Sequence, residues 1–205
     1  MARRAERSPA GRRPRSVAAA AGALQVQLRI ELLEVEPLVW RRVRLPETLT
    51  LERLHGVLLW TMGWSGGHLH EYEIARQRYG TDDPDWPSPE PILDERRYRL
   101  GPMLDDGLRR FTYLYDFGDG WEHRVMVEDR LVPPSGRPLI ECLAGENACP
   151  PEDVGGPPGY EDFLRVIADP NDEEHEHMRS WIGGSFDPTA FNLDTVNRTL
   201  ATIRI

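Results

Sequence analysis

The chain has 205 residues, 40% apolar and 29% charged, a balance that fits a soluble globular protein of one domain plus an appendage. No stretch approaches the roughly 18 unbroken apolar residues of a bilayer span, which excludes a membrane helix. The formal charge of −9 is unevenly spread: residues 1–22 hold six arginines and one glutamate, +5, leaving −14 on residues 23–205, an acidic body that argues against duplex DNA binding by the folded part.

Residues 1–22 read as a disordered, Arg-rich leader, because such a composition cannot bury a core. Nonspecific contact with nucleic acid is the partner it suggests. Its "VAAAAGAL" is too short and too weakly apolar for a secretory signal, so the expected location is cytoplasmic. Residues 23–205 read as a single domain.

"LQVQLRIELL" alternates, with Leu24, Val26, Leu28, Ile30 and Leu32 on one side, which predicts a half-buried strand. Pro37 ends it. "LVWRRVRL" predicts a second strand, whose Trp40, Arg42 and Arg44 share a face where arginine stems flank the indole. Thr50 is the expected N-cap of a helix over 51–62, with Leu51, Leu54, Leu58 and Met62 on its stripe and Gly63 at its C′ position. "HLHEYEIA" predicts a third strand with His68, His70, Tyr72 and Ile74 on one face. Residues 80–95, rich in proline and acids, read as a long surface loop. A short turn of helix is expected near 102–105.

"RRFTYLYDFGDGWEHRVMVEDRLV" predicts a hairpin: Phe111, Tyr113 and Tyr115 alternate going in, and Trp121, His123, Val125 and Val127 coming out. Gly118-Asp119-Gly120 supply the positive φ angles of the reversal. Residues 133–158 read as irregular. Three helices are expected after them: one carrying Tyr160, Phe163, Leu164 and Ile167 inward, a short acidic one in "DEEHEHMRSWIGG", and one opened by Asp187-Pro188 with Ala190, Leu193, Val196 and Leu200 inward. The order predicts an α+β fold: a mainly antiparallel sheet, helices packed on one face, and C-terminal helices.

Several short motifs carry no chemistry on their own. Asp116-Phe117-Gly118 spells a kinase triplet, but the other kinase segments are missing. "HEHMR" resembles a zincin helix with Arg179 in place of the second histidine, so His175 and His177 read as a solvated face. Two cysteines, Cys142 and Cys149, make no disulfide framework. Nucleophile elbow, phosphate loop and dinucleotide fingerprint do not occur. Imidazole, thiolate and carboxylate are zinc ligand types, and they recur at His68, His70, Asp116, Asp119, His123, Cys142, Cys149, Glu152 and Asp153. In "CPPEDVGGPPGY", Glu152 and Asp153 have three open roles: accepting backbone N–H bonds, holding a cation, or acting as general bases.

"GWSGGHLHEYEI", "YLYDFGDGWEHRVMVE", "CPPEDVGGPPGYEDFL" and "FDPTAFNLDTVNRTL" follow one another in this order. Together they resemble the plasmid Ri ORF-three-like family, also labelled transposon-passenger TnpR-family proteins, over about residues 24–200. The resemblance implies an α+β domain associated with plasmids and mobile elements. It also implies a movable cysteine: the family often has one at the position of Val154 and an alanine at that of Cys149. The TnpR label suggests a resolvase, but the acidic body lacks the arginine cluster that a serine recombinase needs.

The expected site is a cleft rimmed by Asp116, Asp119, Trp121 and His123 of the hairpin and lined opposite by His68, His70, Glu152 and Asp153. No complete ligand set calls for a cofactor. Zinc is the metal that the residue types suit, with His70, His123, Cys142 and Cys149 as its ligands. The expected function is a non-enzymatic binding module for a protein or peptide partner, or a homodimer. The rivals are a metal-dependent hydrolase or nuclease, and a DNA-associated accessory protein acting through residues 1–22.

Overall fold

The computed structural model describes residues 24–81, 91–133, 136 and 138–203. The leader and most of the 80–95 loop lie outside these residues. The architecture is α+β: among the described residues, eight strands form one sheet, antiparallel except for one pair, and three helices follow it at the C-terminal end.

β1 (Gln25–Leu32) and β2 (Trp40–Pro46) pair antiparallel, with Leu28 opposite Val43. Val26, Leu28, Ile30 and Leu32 are wholly buried, as their alternation dictates. On the other face the Arg42 guanidinium lies 5.5 Å from the Trp40 ring centroid, and Arg29 of β1 lies closer, at 4.1 Å. The nearer cation therefore comes from the neighbouring strand, which a single-strand pattern does not show.

α1 (Leu51–Met62) starts at Thr50, whose Oγ1 accepts from the Arg53 N–H, and stops at Gly63 with φ +98°. Leu51, Leu54, Leu58 and Met62 are all buried. β3 (His70–Ile74) and β4 (Gln77–Gly80) form a hairpin, and β5 (Ile92–Asp94) joins β4 in parallel. Thus the segment read as a loop to residue 95 ends in a strand. At three residues, β5 is too short for periodicity to reveal. A 3-10 turn at Glu95–Arg97 and α2 (Leu100–Asp105) follow.

β6 (Arg110–Tyr115) and β7 (Trp121–Leu131) form the expected hairpin. Its tip differs in detail: the positive φ angles belong to Asp116 (+57°) and Gly120 (+72°), not to Gly118. The segment read as irregular contains β8 (Glu141–Glu146), which pairs with β2. The strand order is β5-β4-β3-β6-β7-β1-β2-β8.

α3 (Gly156–Ala168) begins earlier than the apolar stripe indicates. Its first-turn prolines cost no intrahelical bond, because the first N–H groups of a helix have no partner within it. α4 (His175–Trp181) rests on α3, and α5 (Leu193–Leu200) packs on β8 and α1. Asn192, rather than Asp187, caps α5: its Oδ1 accepts from the Thr195 N–H at 2.9 Å, while Asp187 closes a separate turn through Thr189. His175, expected on a solvated face, is buried with Nδ1 3.0 Å from the Val166 carbonyl, whereas His177 is exposed.

Candidate functional site

The site grows from the hairpin tip. Asp116 adopts a left-handed backbone, tolerated by aspartate because its side chain bonds locally. Its Oδ1 accepts from the Gly118 N–H at 2.9 Å, and its carbonyl accepts from the Gly120 N–H at 2.6 Å. Its Oδ2 lies 3.4 Å from His68 Nδ1. The other ring nitrogen, Nε2, lies 3.4 Å from Asp153 Oδ1. One imidazole therefore stands between two carboxylates brought from distant segments. One ligand atom from each of the three residues lies within 4.8 Å of the other two, a spacing compatible with a shared cation.

Five hydrogen bonds tie the 150–156 loop to that place. Glu152 accepts from Ser65 at both N (3.0 Å) and Oγ (2.5 Å), and from the Tyr115 hydroxyl at 2.8 Å. Burial pushes this carboxyl up, but the bonds from Ser65, Tyr115 and the Gly66 backbone outweigh it and hold the pKa below the usual range. Burial, followed by the bond to Glu152, raises the Tyr115 phenol. Trp64 Nε1 donates to the Pro150 carbonyl at 2.9 Å, and the Gly155 N–H donates to Asp119 Oδ2 at 3.2 Å. Gly156, at φ +70°, lies so close to the hairpin that a Cβ there would stand 2.3 Å from the Asp119 carbonyl oxygen.

The expected residues divide into two layers. His68, Asp116, Asp119, Glu152 and Asp153 lie together where the hairpin tip meets the 150–156 loop. Among the described residues, no arginine forms an ion pair with these four carboxylates. His70, Trp121 and His123 lie elsewhere. His70 Nε2 meets the buried Glu95 at 2.8 Å, and its ring stacks on His55 at 3.5 Å. His55 in turn meets the Tyr113 hydroxyl at 2.7 Å. Trp121 and His123 are buried in the core. His123 Nδ1 faces the carbonyls of Tyr113 (3.2 Å) and Trp121 (3.1 Å), and burial lowers its pKa to about 4.

The expected zinc set of His70, His123, Cys142 and Cys149 does not come together, since none of the four belongs to the clustered group. Cys142 sits on β8, and its thiol donates to the Ala144 carbonyl at 3.5 Å. Burial raises its pKa to about 11 and raises that of Cys149 as well, the opposite of what a thiolate ligand needs. The positioning residues Trp64, Ser65 and Tyr115 escaped sequence reasoning. Trp64 and Ser65 lie in "GWSGGHLHEYEI", so the signal was present without a role attached.

A family model described as plasmid pRiA4b ORF-3-like protein matches residues 25–195. The chain is 42% identical over 176 residues to a Sinorhizobium fredii (strain NBRC 101917 / NGR234) protein named "Uncharacterized protein y4hQ", covering 85% of this chain and 90% of that one. It also resembles the crystal structure of MM3350, titled a protein of unknown function, from Methanosarcina mazei Go1. The TM-score is 0.77 at 31% identity, over 84% of this chain and 97% of that chain.

Proposed function

The chain belongs to the plasmid pRiA4b ORF-3-like protein family, and from that premise we propose that it is a binding module whose mouth takes a divalent cation at His68, Asp116 and Asp153. The observation that carries this reading is that one ligand atom from each of His68, Asp116 and Asp153 lies within 4.8 Å of the other two. One imidazole and two carboxylates suit zinc or manganese. Three protein ligands leave further coordination positions for water or for a group of a partner molecule. The acidic body raises the local concentration of cations around the mouth.

Titration of the metal-free protein with Zn²⁺ and with Mn²⁺ by calorimetry tests this. One equivalent of either ion is expected to bind. His68→Ala and Asp116→Asn are expected to abolish uptake, and His70→Ala to retain it. No uptake by the unaltered protein rejects the reading.

The same open coordination favours a second reading, metal-activated hydrolysis, in which a bound water is acidified by the ion. Turnover of bis(p-nitrophenyl) phosphate by the loaded protein, lost in His68→Ala, selects it. Metal uptake without turnover on ester or phosphodiester probes leaves binding as the function.

A further inference from the structure

A cavity of about 400 Å³ opens between α3, α4 and the 184–188 segment. Its volume lies in the range of small-molecule sites. The lining is mostly aliphatic and aromatic: Leu164 and Ile167 from α3, Ile182 after α4, and Phe186. Three polar side chains interrupt it, His175, Arg179 and Ser185, of which only Arg179 carries a fixed charge.

His175 is buried, with Nδ1 occupied by the Val166 carbonyl. Arg179 is differently placed. Its contacts are long: Nε to the Gly184 carbonyl at 3.4 Å, and Nη1 to Glu176 at 3.6 Å. Glu176 is 83% exposed, so water screens that pair and it adds little. The guanidinium thus has donors to spare beside an apolar cavity. It is also the only arginine among the lining residues, and no carboxylate lines the cavity with it.

We propose that this cavity binds a small monocarboxylate with an apolar body. The chain or ring sits against Leu164, Ile167, Ile182 and Phe186, and the carboxylate meets the Arg179 fork. A planar guanidinium matches a carboxylate with two parallel bonds, which fixes orientation, while the apolar wall supplies most of the driving force. An amine of the same length would place its charge against Arg179 and is excluded. The site shares no residue with the mouth at His68, so the two proposals stand or fall separately.

Octanoate, 1-octanol and octylamine serve as probes in titrations of the full chain, followed by backbone amide NMR with EDTA present. Octanoate is expected to bind with a Kd of about 1 mM or tighter, shifting the signals of Ile167, Ile182 and Gly184. Arg179→Gln is expected to weaken it roughly tenfold, with Arg179→Lys between the two. Ala168 is exposed at the rim of the cavity, so Ala168→Leu fills space without disturbing the core and is expected to block octanoate. Unchanged thermal melts show that these variants are folded. Equal binding of octylamine, unchanged affinity in Arg179→Gln, or shifts mapping elsewhere would overturn the proposal.

Discussion

His123 shows what burial does to one titratable side chain. It is wholly buried with no carboxylate beside it, and desolvation holds its pKa at about 4 rather than near 6.5. His55 is lowered further, to about 3, by burial and then by its stacked neighbour His70. Both histidines fold in the neutral form, so the unfolded chain takes up their protons first as pH falls. The stability they lend is whole above pH 6.5 and is lost as pH falls toward 4. For His123 alone the loss is on the order of 3 kcal/mol. Urea denaturation between pH 7.5 and 4.5 is expected to show this decline, and a shallower slope in His123→Asn. A flat profile in the unaltered protein would contradict the assignment. Arg41, by contrast, is a buried charge with no acidic partner among the described residues: its guanidinium is satisfied by the carbonyls of Trp40, Thr61, Glu146 and Asn147 and lies over the Phe191 ring. None of this was legible in "LVWRRVRL", because a strand pattern places residues on faces but not against the elements that cover them.

At the scale of elements, β8 separates readable from unreadable segments. β1, α1 and the β6–β7 hairpin announce themselves because one face of each is buried, and burial writes a period of two or near four into the sequence. "ECLAGE" has no such period. Two external partners make it a strand: β2 on one side and the side chain of Asn197 on the other. The Asn197 amide accepts from the Cys142 N–H at 2.8 Å and donates to the Cys142 carbonyl at 3.0 Å. It imitates a neighbouring strand and closes an edge that would otherwise offer free backbone groups. Asn197→Ala leaves both groups without that partner and is expected to cost about 1–3 kcal/mol in urea denaturation. Asn197→Asp keeps the acceptor but not the donor, and is expected to fall between them. Equal stability of all three forms would show that solvent replaces the amide without loss.

At the scale of the whole molecule, the His68 cluster forms because the sheet places β3 beside β6 and the 150–156 loop bonds to Ser65 ahead of β3 and to Tyr115 at the end of β6. Gly156 is the narrowest point of that closure. Gly156→Ala puts a methyl group against the Asp119 carbonyl at a backbone angle that alanine rarely adopts. Overpacking of this kind costs about 1–3 kcal/mol and is expected to lift the loop, moving Asp153 away from His68. Metal uptake should then weaken while His68 and Asp116 remain in place. Calorimetry on the folded variant checks this, and unchanged affinity would show that the loop position does not matter to the mouth. The sequence by itself determined the α+β class, the first helix with both its caps and the central hairpin, because each rests on local periodicity or turn chemistry. Only the tertiary structure decided that His68, and not His70 or His123, meets the acids. Strand pairing sets His70 opposite Tyr115 and His123 opposite Tyr113, and that register depends on long-range backbone bonds that no single segment encodes.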